Sequence, residues 1–211
     1  MKGYIFDLDG TLLDSMSLWD NIGQGFLKSL GITVPPDYTE KIFDMSFIES
    51  AVYTIERFCL PHSPESLIRE WQDIAAFTYK NTIKMKPHAK EYLLGLRKRG
   101  VKLGVATCLS AQLYKPALAG NGVYDLFEAF CGAEEVSCSK SRPDVFLLCA
   151  EKLGLKPWEC VVFEDVLAAV KSAKSVGMTV YGVYDKSSDS DWAQIKQLAD
   201  GVILSFKDAP L

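Results

Sequence analysis

Apolar residues along this chain first run together, then recur at helical spacing, and later fall into short runs separated by helical stripes. Tyr4-Ile5-Phe6 is a continuous apolar run and predicts a buried strand. After Ser15 the spacing changes. Leu18, Ile22, Phe26 and Leu30 lie four positions apart, as on one face of a helix. Pro35-Pro36 breaks the pattern. Phe47 to Phe58 predicts a second helix, with Ile48, Val52, Ile55 and Phe58 as its apolar stripe. Ser63-Pro64 is a helix start, a capping hydroxyl followed by proline at the first position. Leu67, Trp71, Ile74 and Thr78 continue a third helix. Residues from about 15 to about 82 therefore read as all-helical.

From Pro87 strands and helices alternate. A helix carrying Tyr92, Leu93 and Leu96 ends at Gly100, and Val101 to Thr107 is a strand. A helix to about Gly120 precedes a strand from Phe127 to Gly132. Pro143 to Gly154 is a helix, Cys160 to Phe163 a strand and Val166 to Gly177 a helix. Thr179 to Val183 is a strand, and a last helix around Trp192 to Leu198 leads to Val202-Ile203-Leu204. Such alternation predicts an α/β fold, a doubly wound parallel sheet. The helical block is then an insert: residues 1–14 and 83–211 form the α/β core, and 15–82 an all-helical second domain.

Polar residues collect where the strands end. The first strand runs into Asp7-Leu8-Asp9-Gly10-Thr11, two carboxylates two residues apart, then a glycine and a hydroxyl. Open α/β sheets place ligands at the carboxyl ends of their strands. Two carboxylates this close repel, so the position favours a cation or a shared proton. A nucleophile, an acid/base or a Mg²⁺ site would each fit. Helix capping by Asp14 or Ser15 explains those two residues but not the paired acids. Three further segments follow. The strand after Val101 ends in Thr107, whose hydroxyl can serve a phosphate oxygen or merely terminate the strand. Lys140 stands just before the helix opened by Pro143, where a cation is poorly placed for the helix dipole. Val161-Val162-Phe163 runs into Glu164-Asp165, a second apolar strand ending in two acids, of which Asp165 could cap the next helix.

These four segments, in this order and across nearly the whole chain, resemble the motifs of the haloacid dehalogenase superfamily in its phosphatase and phosphomutase form. The family often has Lys-Pro in its third motif; here Ser141 follows Lys140. The resemblance implies that the helical insert is a cap that closes over the active site. It implies that Asp7 is the nucleophile, forming an aspartyl-phosphate, and that Asp9 is the acid and base. It implies Mg²⁺ held by Asp7, the Asp9 backbone carbonyl and Asp165, with Glu164 nearby or through water. Thr107, Cys108 and Lys140 would bind the phosphoryl group, with Thr107 and Lys140 also serving catalysis.

The acid at position 9 separates branches of the superfamily, since the dehalogenases and phosphonatases lack it. The branch resembling β-phosphoglucomutase carries a His near the hinge and an Arg in the cap for a second phosphate. Those positions align with Trp19 and Phe47, which favours a hydrolase over a mutase. The segment Asp14-Ser15-Met16-Ser17-Leu18-Trp19 resembles bacterial sugar-phosphate phosphatases instead. A catalytically silent phosphate-binding protein is the third alternative, against which all the acids are present.

Composition narrows partners more than activity. The 211 residues are 48% hydrophobic and 24% charged, ordinary for a globular protein, and a net charge of −4 leaves no basic footprint for nucleic acid. No apolar run approaches the ~20 residues of a membrane span, and the start of the chain predicts no signal peptide. The six cysteines include no Cys-x-x-Cys pair, and five fall in segments predicted to be core. They read as reduced thiols of a cytoplasmic protein. The expectation is a monomer acting on a small phosphorylated metabolite.

Overall fold

The computed structural model describes residues 1–42, 45, 47–136 and 139–210; the side chains at 19, 20, 40, 47, 133 and 134 also fall outside that description. The predictions that rest on the side chains of Trp19 and Phe47 therefore lie outside the described residues.

Six strands form one parallel sheet: β1 (Gly3–Phe6), β2 (Lys102–Thr107), β3 (Ala129–Gly132), β4 (Cys160–Glu164), β5 (Thr179–Val183) and β6 (Gly201–Ile203). Their order is β3-β2-β1-β4-β5-β6, and each neighbouring pair is parallel. The chain thus winds outward from β1 in one direction and from β4 in the other. The order reverses between these two central strands, which makes the gap at their carboxyl ends the natural ligand crevice.

Both faces of the sheet are covered, as a parallel sheet requires. The alternation in β1 sends Tyr4 and Phe6 to one face, where Phe6 stacks on Phe163 with centroids 5.0 Å apart and Tyr92 and Phe206 complete an aromatic cluster. Ile5 and Val162 join the other core, with Phe146, Cys149, Val170 and Ile195. That second core receives the crossover helices α8 (Asp144–Lys152), α9 (Leu167–Ser175) and α10 (Trp192–Leu198). Gly104 of β2 lets α8 approach: a Cβ there would sit 2.5 Å from Cys149 Sγ. Cys131, Cys149 and Cys160 are buried and free, whereas Cys59 and Cys108 are exposed and Cys138 is outside the described residues. The expectation of five core cysteines is corrected accordingly: Cys59 stands at positive φ past a helix end, and Cys108 lies beyond the end of β2.

The chain separates into two compact units, Met1–Ser15 with Ile83–Leu211, and Met16–Thr82. The second unit contains α1 (Met16–Ser29), α2 (Tyr38–Ile42), α3 (Phe47–Phe58) and α4 (Pro64–Asn81), and no strand among its described residues. Ser63 caps α4 and accepts from the Ser66 N–H, with Pro64 entering the first turn. Leu67, Trp71, Ala75 and Tyr79 form the buried stripe of α4, one residue off the predicted Ile74 and Thr78. The stripe expected on α3 is also corrected. Ile48 and Val52 are exposed, and the buried residues are Ser50, Ala51 and Thr54. Small side chains let α3 pack closely, and Thr54 Oγ1 meets the Tyr38 hydroxyl at 2.7 Å.

Candidate active site

The site grows out of the turn after β1. Asp7 follows the strand directly, and its N–H donates to the Phe163 carbonyl of β4 (3.1 Å). The chain then folds back on itself. The N–H groups of Thr11 and Leu13 both donate to the Leu8 carbonyl, and that of Gly10 to the Leu13 carbonyl. Leu8, Leu12 and Leu13 are fully buried beneath the turn. This anchoring leaves Asp7, Asp9, Thr11, Asp14 and Ser15 as the polar residues of the loop, with Asp14 exposed.

Gly10 is required twice over. Its φ of +75° is a left-handed conformation that suits glycine. A Cβ on it would also stand 2.3 Å from Asp165 Oδ2. Gly10→Ala is expected to cost about 2 kcal/mol, from the backbone conformation and the displaced carboxylate. That corresponds to a fall of about 6 °C in the thermal unfolding midpoint. An unchanged midpoint would show that neither constraint is real.

Four buried charged side chains meet at the carboxyl ends of β1 and β4. Lys140, only 8% exposed, places Nζ on Asp7 Oδ1 and on Glu164 Oε1, the latter at 2.6 Å. One carboxylate oxygen each from Asp7, Glu164 and Asp165 can be chosen so that all lie within 4.8 Å of one another. The two oxygens of Glu164 serve different partners. Oε1 accepts from Lys140, and Oε2 accepts from the N–H groups of Asp165 and Val166. Asp165 Oδ1 accepts from Thr11 Oγ1 at 2.8 Å, and Asp165 Oδ2 is buried with no hydrogen-bond partner. Asp165 does not cap α9, whose N-cap is Val166. Ser15, expected as a possible helix cap, donates its hydroxyl to Asp9 Oδ1 at 2.6 Å.

The charges are mutually dependent. Burial pushes the Asp7 carboxyl well above its ordinary value, Lys140 pulls it down, and Glu164, Asp165 and Asp9 push it further up. Burial would lower the Lys140 ammonium, but Asp7 and Glu164 outweigh it and hold the group protonated above its usual value. Burial and the Glu164 charge raise Asp165 to about 7, against the Thr11 hydrogen bond and the charges of Lys140 and Lys86. Three carboxylates with one ammonium leave the cluster short of positive charge. Together with the unpartnered Asp165 Oδ2, an all-oxygen donor set of this kind fits a hard divalent cation such as Mg²⁺.

Thr107 is buried at the end of β2, with its Oγ1 accepting from the Leu109 N–H (3.1 Å). Its own O–H remains to donate. Cys108 follows it and is exposed. The structure therefore brings Lys140 onto Asp7 and Glu164, with Asp165 beside them; Asp9 sits two residues along, tied to Ser15 instead. Sequence reasoning did not find Thr11, Ser15 or Lys86. Lys86 Nζ bonds the Tyr184 carbonyl and Asp185 Oδ2, both at 2.8 Å, and its N–H donates to the Leu12 carbonyl. No local pattern marks that lysine, because its partners lie about a hundred positions away.

A family described as haloacid dehalogenase-like hydrolase matches residues 4–183 of the chain. The chain belongs to that family. A Drosophila melanogaster protein assigned as a pseudouridine-5'-phosphatase is 31% identical over 189 residues, which span 86% of this chain and 80% of that protein. Hexitol phosphatase B of Escherichia coli (strain K12) is 28% identical over 179 residues, 82% and 79% of the two chains. The crystal structure of a Thermotoga maritima protein assigned as a β-phosphoglucomutase superposes with a TM-score of 0.86 at 25% identity, covering 96% of this chain and 94% of that one.

Proposed function

We propose that this chain is a Mg²⁺-dependent phosphatase that hydrolyses a small phosphorylated carbohydrate through an aspartyl-phosphate on Asp7. The observation that carries this reading is the buried group of Asp7, Lys140, Glu164 and Asp165 at the reversal of strand order, with Asp165 Oδ2 left unpartnered. The phosphatase names of the sequence relatives support the reaction class. The ion would be held by the carboxylates of Asp7 and Asp165 and the Asp9 carbonyl, and when bound it supplies positive charge against the phosphoryl oxygens.

In the first half-reaction an Asp7 carboxylate oxygen attacks phosphorus and the ester P–O bond breaks. Asp9 gives its proton to the leaving sugar oxygen. Lys140 uses two of its three N–H donors on Asp7 and Glu164, and the third serves a phosphoryl oxygen. Thr107 donates to another, and Cys108 borders the same oxygens. Glu164 would act through Lys140, whose ammonium it holds with Oε1, and would lie near the ion or reach it through water. In the second half-reaction Asp9 takes a proton from water, whose oxygen attacks phosphorus, and the bond to Asp7 breaks. The helical unit would serve as a cap that excludes bulk water and selects the sugar. Cytoplasmic placement rests on the thiols, since Cys131, Cys149 and Cys160 are free. No helix among the described residues is long and apolar enough to cross a membrane.

The test is an assay of the purified protein on p-nitrophenyl phosphate and on β-glucose 1-phosphate. Release of inorganic phosphate is expected with Mg²⁺, to fall at least about 10²-fold in EDTA, and to return with added Mg²⁺. Glucose 6-phosphate forming faster than inorganic phosphate would make the chain a mutase, the activity assigned to the Thermotoga neighbour. Halide release without metal would make it a dehalogenase. A folded protein that binds Mg²⁺ and turns over neither phosphate ester, nor any of a panel of phosphorylated metabolites, would be catalytically silent.

A further inference from the structure

The hydroxyl of Thr11 has no part in the chemistry just described, yet it is fully buried and makes a side-chain bond across 154 positions of sequence. We propose that Thr11 is a positioning residue that locks the Asp165 carboxylate so that Oδ2 alone is presented to the divalent cation. The inference rests on the metal-dependent reading of the site and deepens it.

The two oxygens of Asp165 are treated differently by consecutive residues of one turn. Thr11 Oγ1 donates to Oδ1 at 2.8 Å. Gly10, lacking a Cβ, leaves the space that Oδ2 fills. The turn cannot readily drift relative to the sheet, since Leu8, which accepts the N–H bonds of Thr11 and Leu13, is fully buried. At its other end the Asp165 backbone is held, because its N–H donates to Glu164 Oε2 at 2.9 Å. A carboxylate fixed at the backbone and at one oxygen has lost its rotation about the side chain. The remaining oxygen then points one way, and one oxygen of Asp165 lies within 4.8 Å of an oxygen each from Asp7 and Glu164. Outer hydrogen bonds of this kind orient a metal-binding carboxylate, and their loss weakens metal affinity by about 10–100-fold.

The alternative is that Thr11 only fills space and satisfies the loop. Valine and alanine separate the two roles, because both remove the hydroxyl while valine keeps the shape. Binding is measured without substrate, by calorimetric titration of Mg²⁺ into the full-length protein and by the Mg²⁺-induced rise in thermal unfolding midpoint. Thr11→Val is expected to bind Mg²⁺ at least tenfold more weakly than the wild type, whereas Thr11→Ser stays close to wild type. In turnover the defect should appear as a higher Mg²⁺ concentration for half-maximal rate, with kcat largely recovered at saturating metal. If Thr11→Val does not fold, Thr11→Ala is compared with Thr11→Ser in its place. Wild-type Mg²⁺ affinity in a folded Thr11→Val or Thr11→Ala protein overturns the proposal alone, as does a Thr11→Ser protein as weak as either. A wild-type protein that binds no divalent cation overturns the metal reading and the proposal with it.

Discussion

Replacing Asp7 with Asn is expected to reduce turnover by at least about 10³-fold while leaving the protein folded. The amide keeps the shape of the carboxyl but is a poor nucleophile and a weak ligand for a hard cation. The fold should survive because Asn keeps the shape of the side chain and removes a charge that Glu164, Asp165 and Asp9 oppose. Lys140 also keeps a second partner in Glu164, at 2.6 Å. A thermal unfolding midpoint near that of the wild type, alongside lost activity, would separate chemistry from folding. Acid-quenched wild-type protein should carry phosphoryl label from the substrate, and the Asn variant should carry none. A well-folded Asp7→Asn protein retaining a tenth of wild-type activity would remove Asp7 from the nucleophile's role.

Lys140→Met should damage both stability and rate. Lys140 is the one cation bonded directly to Asp7 and Glu164 among the described residues. Removing one partner of a buried ion pair leaves the other charges uncompensated and costs about 3 kcal/mol or more. That is a fall of about 10 °C in unfolding midpoint for a chain of this length. The loss of a fixed positive charge beside the phosphoryl group should lower kcat by about 10²–10³-fold beyond the effect of misfolding. Lys140→Arg is not expected to rescue, because a planar guanidinium cannot occupy a site shaped for a compact ammonium. Calorimetry and steady-state kinetics on the same preparations check both effects. A Met variant as stable and as fast as the wild type would mean that the Lys140 contacts are incidental.

Reading the strands from sequence worked because apolar runs and helical stripes are local patterns. Val161-Val162-Phe163 announces a buried strand whatever surrounds it, and Ser63-Pro64 announces a helix start by its own chemistry. The same locality misplaced the buried face of α3. Its large apolar residues suggested the stripe, but the helix packs through Ser50, Ala51 and Thr54, whose small size permits close approach. Which residues are small enough to approach depends on the neighbour, and Tyr38 is that neighbour.

The candidate site divides along the same line. Residue type and position at a strand end drew attention to the acids Asp7, Asp9, Glu164 and Asp165, since acids after an apolar strand have few structural uses; Thr107 and Lys140 gained weight only from their order along the chain in the resemblance to the family. The partners of those residues were decided by tertiary structure alone. Ser15 stands just before α1 and its hydroxyl donates to Asp9; Asp165 looked like a cap and accepts from Thr11. Glu164 is divided between Lys140 and the backbone ahead of α9. Side-chain hydrogen bonds are satisfied by whatever donor the fold brings within 3 Å, and the order of strands, not the order of residues, sets that neighbourhood. Placing β1 beside β4 is what joins Thr11 to Asp165 across 154 positions, a contact that no spacing along the chain encodes.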